Sequence, residues 1–207
     1  MRVYFVRHGE STHNASAMHQ HPLVQLSKAG SRQAEIVADR LTRLPVEIIF
    51  SSPHTRAKAT AEIIAAKISK KLNLSDLLGE IKWPSELESM EHTNPESKRI
   101  RNLLDAHGDD PDWHFSDEEN FFEIRNRATL ALKMLESRNE ENILVVSHGN
   151  LIKMLICVMM LDGNILPEFY RRAKLFLKTK NTGVTVCDFD PEEGWTLLTW
   201  NDHAHLG

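Results

Sequence analysis

Cysteine is scarce in this chain, with only Cys157 and Cys187 among 207 residues, each inside an apolar run. A disulfide framework is therefore excluded, and a reducing, cytoplasmic setting is expected. An excess of positive charge is missing as well: 25 Lys and Arg stand against 29 Asp and Glu, a net charge of −4. That balance argues against a surface that tracks nucleic acid, which usually needs a strongly basic domain. No long hydrophobic run is present, because the most apolar stretch, 143–161, is interrupted by Ser147, His148, Gly149, Asn150 and Lys153. A membrane span is not expected from such a segment. At the N-terminus Arg2 and Arg7 bracket four residues with no small-residue cleavage site after them, unlike a signal peptide. Internal repeats, low-complexity tracts and linkers are also lacking, so one domain over 1–207 is expected, large enough to bury roughly 70% of the unfolded chain's surface.

What the chain does have is an alternation of short β-rich runs with amphipathic segments, the pattern of an α/β/α sandwich on a mostly parallel sheet. Strands are expected at 3–6, 46–50 and 143–147, and a C-terminal hairpin over 183–189 and 195–200 turns at Asp190 to Gly194. Ser27 can cap a helix bearing Ala34, Val37, Ala38, Leu41 and Leu44. Pro53 suits the start of another, whose buried stripe reads Ala61, Ile64, Ala65, Ile68 and Leu72. Further helices are expected through Ile124, Ala128, Leu132 and Leu135, and over 151–161. The pattern loosens over about 76–122, with Pro84, Pro95 and Pro111 and a weak helix near Ile100, Leu103 and Leu104, as in an inserted cap.

Eleven histidines are the compositional oddity. Three of them, His8, His54 and His148, belong to three polar clusters that each follow an expected strand: Arg7-His8, Ser51 to Arg56, and His148-Gly149. In an open α/β sheet that edge is where ligands bind, so the three should face one pocket. Two arginines, two histidines, the hydroxyls of Ser11 and Thr12 and the Asn14 amide supply donors suited to a tetrahedral dianion, since guanidinium forks match phosphate oxygens. A histidine there can also act as nucleophile, because neutral imidazole is available at pH 7.

Arg7-His8-Gly9-Glu10-Ser11-Thr12-His13-Asn14 resembles the signature of the histidine phosphatase superfamily, the phosphoglycerate-mutase-like enzymes. The resemblance continues through Leu26-Ser27-Lys28-Ala29-Gly30, Ser51-Ser52-Pro53-His54-Thr55-Arg56-Ala57 and Val145-Val146-Ser147-His148-Gly149, in the family's order and over most of 1–160. It implies that His8 takes the phosphoryl group while Arg7, Arg56 and His148 hold its oxygens, with Asn14, Ser11 and Gly149 completing the phosphate site. It implies no metal and no cofactor, since side-chain cations neutralise the phosphoryl oxygens. It gives His13 no role.

In the family a carboxylate after the second helix protonates the leaving group. Leu78-Gly79-Glu80 fits that pattern best, with Glu86 and Glu88 as alternatives because Trp83-Pro84-Ser85-Glu86-Leu87-Glu88 replaces the usual Gly-rich stretch. A carboxyl beside a phosphate dianion holds its proton to higher pH, as a donor near neutrality requires. The acidic residues Asp109, Asp110, Asp112, Asp117, Glu118, Glu119 and Glu123, with His107 and His114 nearby, read as a solvated cap edge, having neither EF-hand nor zinc spacing. His203 and His205 read as a tail with no structural role.

The expected function is a metal-independent phosphomonoesterase acting on a small phosphorylated metabolite. A phosphoglycerate-type mutase and a non-catalytic phospholigand-binding protein are the alternatives. The 15–25 segment lacks a Gly-Trp-x-Asp tract associated with the mutases, which weighs against the first of these. A monomer or a homodimer is expected.

Overall fold

The computed structural model describes all 207 residues. In chain order the strands are β1 (Arg2–Arg7), β2 (Ile48–Ser51), β3 (Leu72–Leu74), β4 (Asn142–Ser147), β5 (Val184–Asp190) and β6 (Gly194–Asp202). The helices are α1 (Thr12–Ala15), α2 (Lys28–Leu41), α3 (Thr55–Ile68), α4 (Pro95–Ala106), α5 (Phe121–Glu136), α6 (Gly149–Leu161) and α7 (Pro167–Phe176).

The sheet runs β3-β2-β4-β1-β5-β6. Its first four strands are parallel, and β5 and β6 add an antiparallel edge. Alternation along β1 shows why it lies in the middle. Val3 and Phe5 join a core shared with α5 and α6, whereas Tyr4 and Val6 join a second core shared with α2 and α3. Both faces are therefore covered, as a parallel sheet requires. No helix is long and apolar enough to cross a membrane.

Register sets up the site. Arg7 pairs with Ser147 across β1 and β4, and Ser51 pairs with Val146 across β2 and β4. One residue further on, the His8 N–H donates to the Ser147 carbonyl at 2.9 Å and the Ser52 N–H to the Val146 carbonyl at 3.1 Å. Three chain segments thus leave the sheet at one edge, side by side.

Several local expectations are corrected. Leu72 is not on the α3 stripe: Ser69 adopts a left-handed conformation with φ 55° after Ile68, ending the helix, and Leu72 opens β3. Pro53 precedes α3, whose N-cap is His54. The second strand begins at Ile48 rather than at residue 46, and α6 starts two residues before 151. Helix α7 and strand β3 had no clear signal, being short and only partly apolar. His205 is no loose tail, because its ring bonds both Arg40 and the Thr182 hydroxyl. Most of the acidic residues are exposed, as a solvated edge requires, while Asp109 pairs with Arg171, Asp117 with Lys82, Glu119 with Arg127 and Glu123 with His114.

The loop after β1 is pressed onto the start of α2. A Cβ on Gly30 would lie 1.9 Å from the Glu10 carbonyl oxygen, and one on Gly9 would lie 2.4 Å from the Gly30 carbonyl oxygen. Backbone meets backbone here, so no side chain can yield. Gly30→Ala is expected to lower stability by about 1–3 kcal/mol in urea titrations. A midpoint equal to wild type would refute that close approach.

Candidate active site

The base of the site is two buried histidines. His8 is 1% and His148 0% exposed, with ring centroids 5.1 Å apart. His8 Nδ1 lies 2.6 Å from the Gly9 carbonyl oxygen, which can only accept, so Nδ1 carries the hydrogen. The lone pair is thereby left on Nε2, where the Arg56 Nε–H donates to it at 3.2 Å. Burial first, then the Arg56 and Arg7 guanidiniums, hold the His8 pKa well below its usual value. The ring is neutral at pH 7 and its free electron pair faces the cationic side of the site.

His148 is held on Nε2 by the Ser52 hydroxyl at 2.8 Å. The Ser52 hydroxyl is buried and its other contact is a donor, the His54 N–H, so His148 Nε2 is the acceptor for its proton and the imidazole hydrogen is assigned to Nδ1. His148 Nδ1 and Arg7 Nε are both fully buried without a hydrogen-bond partner. Burial and then Arg56 lower the His148 pKa. Unpartnered buried donors are costly, typically about 1–3 kcal/mol each, and two aimed into one site mark where acceptor oxygens belong.

Arg7 and Arg56 complete a cationic pair with no direct ion pair to a carboxylate, although Glu80 shares their cleft and its charge acts on both. Arg7 donates from one terminal nitrogen to the Thr179 carbonyl at 2.9 Å, and Arg56, 1% exposed, donates to the His21 carbonyl at 3.0 Å. Desolvation lowers both pKa values, that of Arg56 to about 10. Buried charge in this setting calls for an anionic partner.

Above these groups lies a cleft of about 360 Å³ lined by Arg7, Asn14, Arg56, Glu80, Gly149 and Lys153 among others. Asn14 Oδ1 closes the capping box with Ser11 and accepts from Asn181, which leaves its amide N–H groups for the cleft. The Ser11 hydroxyl is otherwise occupied: it accepts the Asn14 N–H, donates to Gln20 and is buried. Ser11 therefore shapes the loop, and its expected phosphate contact is not formed here. Gly149 must be small, since a Cβ would lie 2.8 Å from the Thr179 hydroxyl and 3.4 Å from Arg7 Nε.

Among the three candidate acids, only Glu80 lines the cleft. Its carboxylate accepts the backbone N–H groups of Ile81, Leu151 and Asn150 at 3.0, 3.2 and 3.4 Å, the last two from the first turn of α6. Glu86 is exposed and bonded to the Ser116 hydroxyl, and Glu88 is exposed on the cap. The loop bearing Glu80 is clamped by Arg127, which donates to the carbonyls of Leu77, Gly79 and Glu80 while pairing with both oxygens of Glu119.

Sequence reasoning missed Ser52, Thr60, Thr179, Asn181 and Arg127 as supports. Ser52 lies inside the quoted Ser51 to Ala57 block and Thr60 just beyond it, but the others are single polar residues remote in sequence. Thr60 accepts the Gly9 N–H and donates to the Arg56 carbonyl, and Asn181 donates to the His8 carbonyl.

Buried neutral histidines also set a pH limit on stability. Desolvation holds His19 and His54 down to about 4, against 6.5 in an unfolded chain. Between those values the unfolded chain binds more protons, so acidification favours unfolding by up to about 1.4 kcal/mol per pH unit per histidine. Melting temperature is expected to be level above pH 7 and to fall steadily from about pH 6.5 toward 4. A flat profile over that window would remove the neutral-histidine assignment.

The comparisons with known proteins agree with this geometry. The sequence profile of the histidine phosphatase superfamily (branch 1) matches residues 3–203. Phosphoglycerate mutase-like protein 4 of Arabidopsis thaliana is 30% identical over 215 residues, covering 99% of this chain and 86% of that protein. A crystal structure of a phosphoserine phosphatase mutant from Entamoeba histolytica, in complex with phosphoserine, superposes with a TM-score of 0.79 at 26% identity, covering 99% of this chain and 98% of that one. A mycobacterial glucosyl-3-phosphoglycerate phosphatase complexed with VO3 shares the fold, with a TM-score of 0.81 at 21% identity over 98% of this chain and 99% of that one. The profile match over nearly the whole length, on a sheet edge that assembles Arg7, His8, Arg56 and His148, means that this chain belongs to the histidine phosphatase superfamily, branch 1.

Proposed function

We propose that the protein is a phosphomonoesterase acting on a small phosphorylated metabolite through a phosphohistidine on His8. The observation that carries this reading is the pair of unpartnered buried donors, Arg7 Nε and His148 Nδ1, beside a His8 ring whose lone pair is on Nε2. The phosphatase assignment of the Entamoeba relative supports it.

In the first step His8 Nε2 attacks phosphorus, the Nε2–P bond forms and the ester P–O bond breaks. Arg7, Arg56, His148 and the Asn14 amide stabilise the charge on the three equatorial oxygens. The Arg56 Nε–H now bonded to His8 Nε2 turns to a phosphoryl oxygen, so one guanidinium guards the nucleophile at rest and serves the transition state during attack. Glu80, protonated, gives its proton to the leaving alkoxide. In the second step water attacks phosphorus, Glu80 takes its proton, the Nε2–P bond breaks and inorganic phosphate leaves. The domain is read as one unit, 1–207, with a cap over about 76–122, in a reducing cytoplasmic setting. Monomer or homodimer both suit this chemistry.

His8→Ala is expected to reduce hydrolysis of phosphate esters by about a thousandfold or more. Brief mixing with labelled substrate should leave acid-labile phosphate on wild type and none on the variant. Equal rates in the two proteins would end the phosphohistidine proposal. Glu80→Gln is expected to slow phosphoenzyme formation from alkyl esters by about 10²–10⁴-fold and from p-nitrophenyl phosphate much less, because that leaving group departs without a proton. A uniform loss in this first step on both esters would remove Glu80 from protonating the leaving group. Since the Arabidopsis relative is named for mutase likeness, 3-phosphoglycerate with its bisphosphate should also be supplied. Release of inorganic phosphate without 2-phosphoglycerate is the expected result.

A further inference from the structure

A second cavity of about 390 Å³ lies between the cap and helices α5 and α7, and it shares Trp83, Arg101 and Asn150 with the wall of the phosphate cleft. The two spaces are neighbours through those residues. The second one differs in character. Trp83, Trp113, Phe121 and Tyr170 line it, and fixed geometry holds the rings: Trp113 stacks on His107 at 4.4 Å with 14° between planes, and Phe121 and Tyr170 lie 6.0 Å apart. The Tyr170 hydroxyl donates to the Asn150 carbonyl at 3.2 Å, which leaves the ring itself as the lining surface.

Asn150 also connects this cavity to the chemistry. Its N–H donates to the Glu80 carboxylate at 3.4 Å, while its carbonyl accepts from Tyr170. An alkoxide or phenoxide receiving a proton from Glu80 therefore stands at the threshold of the aromatic chamber. The portion of substrate beyond that oxygen has the chamber as its continuation. A volume near 390 Å³ falls in the range of about 300–1,000 Å³ typical of sites for sizeable organic ligands. A three-carbon acid would leave most of it unfilled.

Charge narrows the chemistry further. Lys98, Arg101 and Lys174 border the chamber, and Lys174 Nζ lies 5.2 Å over the Tyr170 ring. Cations beside aromatic walls attract electron-rich or anionic rings and disfavour cationic ones. Resting on the phosphomonoesterase reading above, we infer that this chamber is the leaving-group subsite, and that the substrate is a phosphate ester of a bulky, electron-rich aromatic alcohol rather than of a short hydroxy acid or amino acid.

The test compares 1-naphthyl phosphate with O-phospho-L-serine and 3-phosphoglycerate on the wild-type protein. A kcat/KM advantage of about tenfold or more is expected for the naphthyl ester, the size of discrimination an apolar pocket supplies. Trp113→Ala removes one wall and Asn102→Trp fills the chamber from its exposed edge, and in each the naphthyl-to-phosphoserine ratio is expected to fall about tenfold. Two variants from different sides guard against misfolding of one, with thermal melts reporting the fold. A wild-type preference for phosphoserine or phosphoglycerate, or an unchanged ratio in both folded variants, overturns the inference and leaves the phosphatase reading standing. Binding of 1-naphthyl phosphate to His8→Ala, followed by calorimetry, is independent of turnover. Adding Trp113→Ala in that background should weaken binding about tenfold, and an equal Kd overturns the inference. Failure of wild type to hydrolyse any of the three esters overturns the phosphatase reading instead.

Discussion

Two guanidiniums buried against neutral imidazoles, with no carboxylate in direct contact, are the constraint on which the rest of the structure depends. Arg56 is nearly inaccessible and Arg7 largely so, and the hydrogen bonds they make go to carbonyl oxygens and to His8 Nε2. Such an arrangement raises the energy of the unliganded protein, because desolvated cations and unpartnered donors are held in place by the fold around them. Phosphate oxygens relieve that cost. The same burial keeps His8 and His148 uncharged, so in the proposed mechanism one physical cause both attracts the anion and preserves the nucleophile.

Holding this cluster requires rigid supports on every side. The parallel register of β1, β4 and β2 brings His8, His148 and Ser52 to one edge, and both faces of the sheet are sealed by apolar cores. Gly9 and Gly30 allow the signature loop to seat on α2, and Thr60 and Asn181 hold the loop's backbone. On the opposite wall, Arg127 and Glu119 fix the turn that carries Glu80, whose carboxylate rests on the N–H groups at the start of α6. The 76–122 segment adds a wall of different chemistry, with the aromatic rings Trp113 and Phe121 that the cleft lacks, so the proposed phosphate and leaving-group surfaces are distinct.

Much of the framework was legible because its signals are local. The strands at 3–6 and 143–147 are continuous, mostly β-branched or aromatic runs buried on both faces, and the helix cap at Ser27 is a local bond between near neighbours. Errors fell where local pattern is weak. Leu72 continued the apolar spacing of α3, yet Ser69 in a left-handed conformation broke the helix before it. Ser11 carries a hydroxyl in a phosphate signature, yet the capping box and Gln20 engage it. The acidic cap residues are mostly solvated, as expected, but their cationic partners Lys82, Arg127 and Arg171 became visible only when α5 and α7 were in place.

The sequence by itself determined the sheet's buried strands, the order of the motif blocks and the candidacy of Arg7, His8, Arg56 and His148, because each depends on residue type and short spacing. Only the tertiary structure decided which nitrogen of His8 carries its hydrogen, which of three glutamates reaches the cleft, that Arg127 holds the Glu80 loop, and that an aromatic chamber adjoins the site. Those properties arise from contacts between segments tens to more than a hundred residues apart, where burial and hydrogen-bond geometry, rather than local preference, set the outcome.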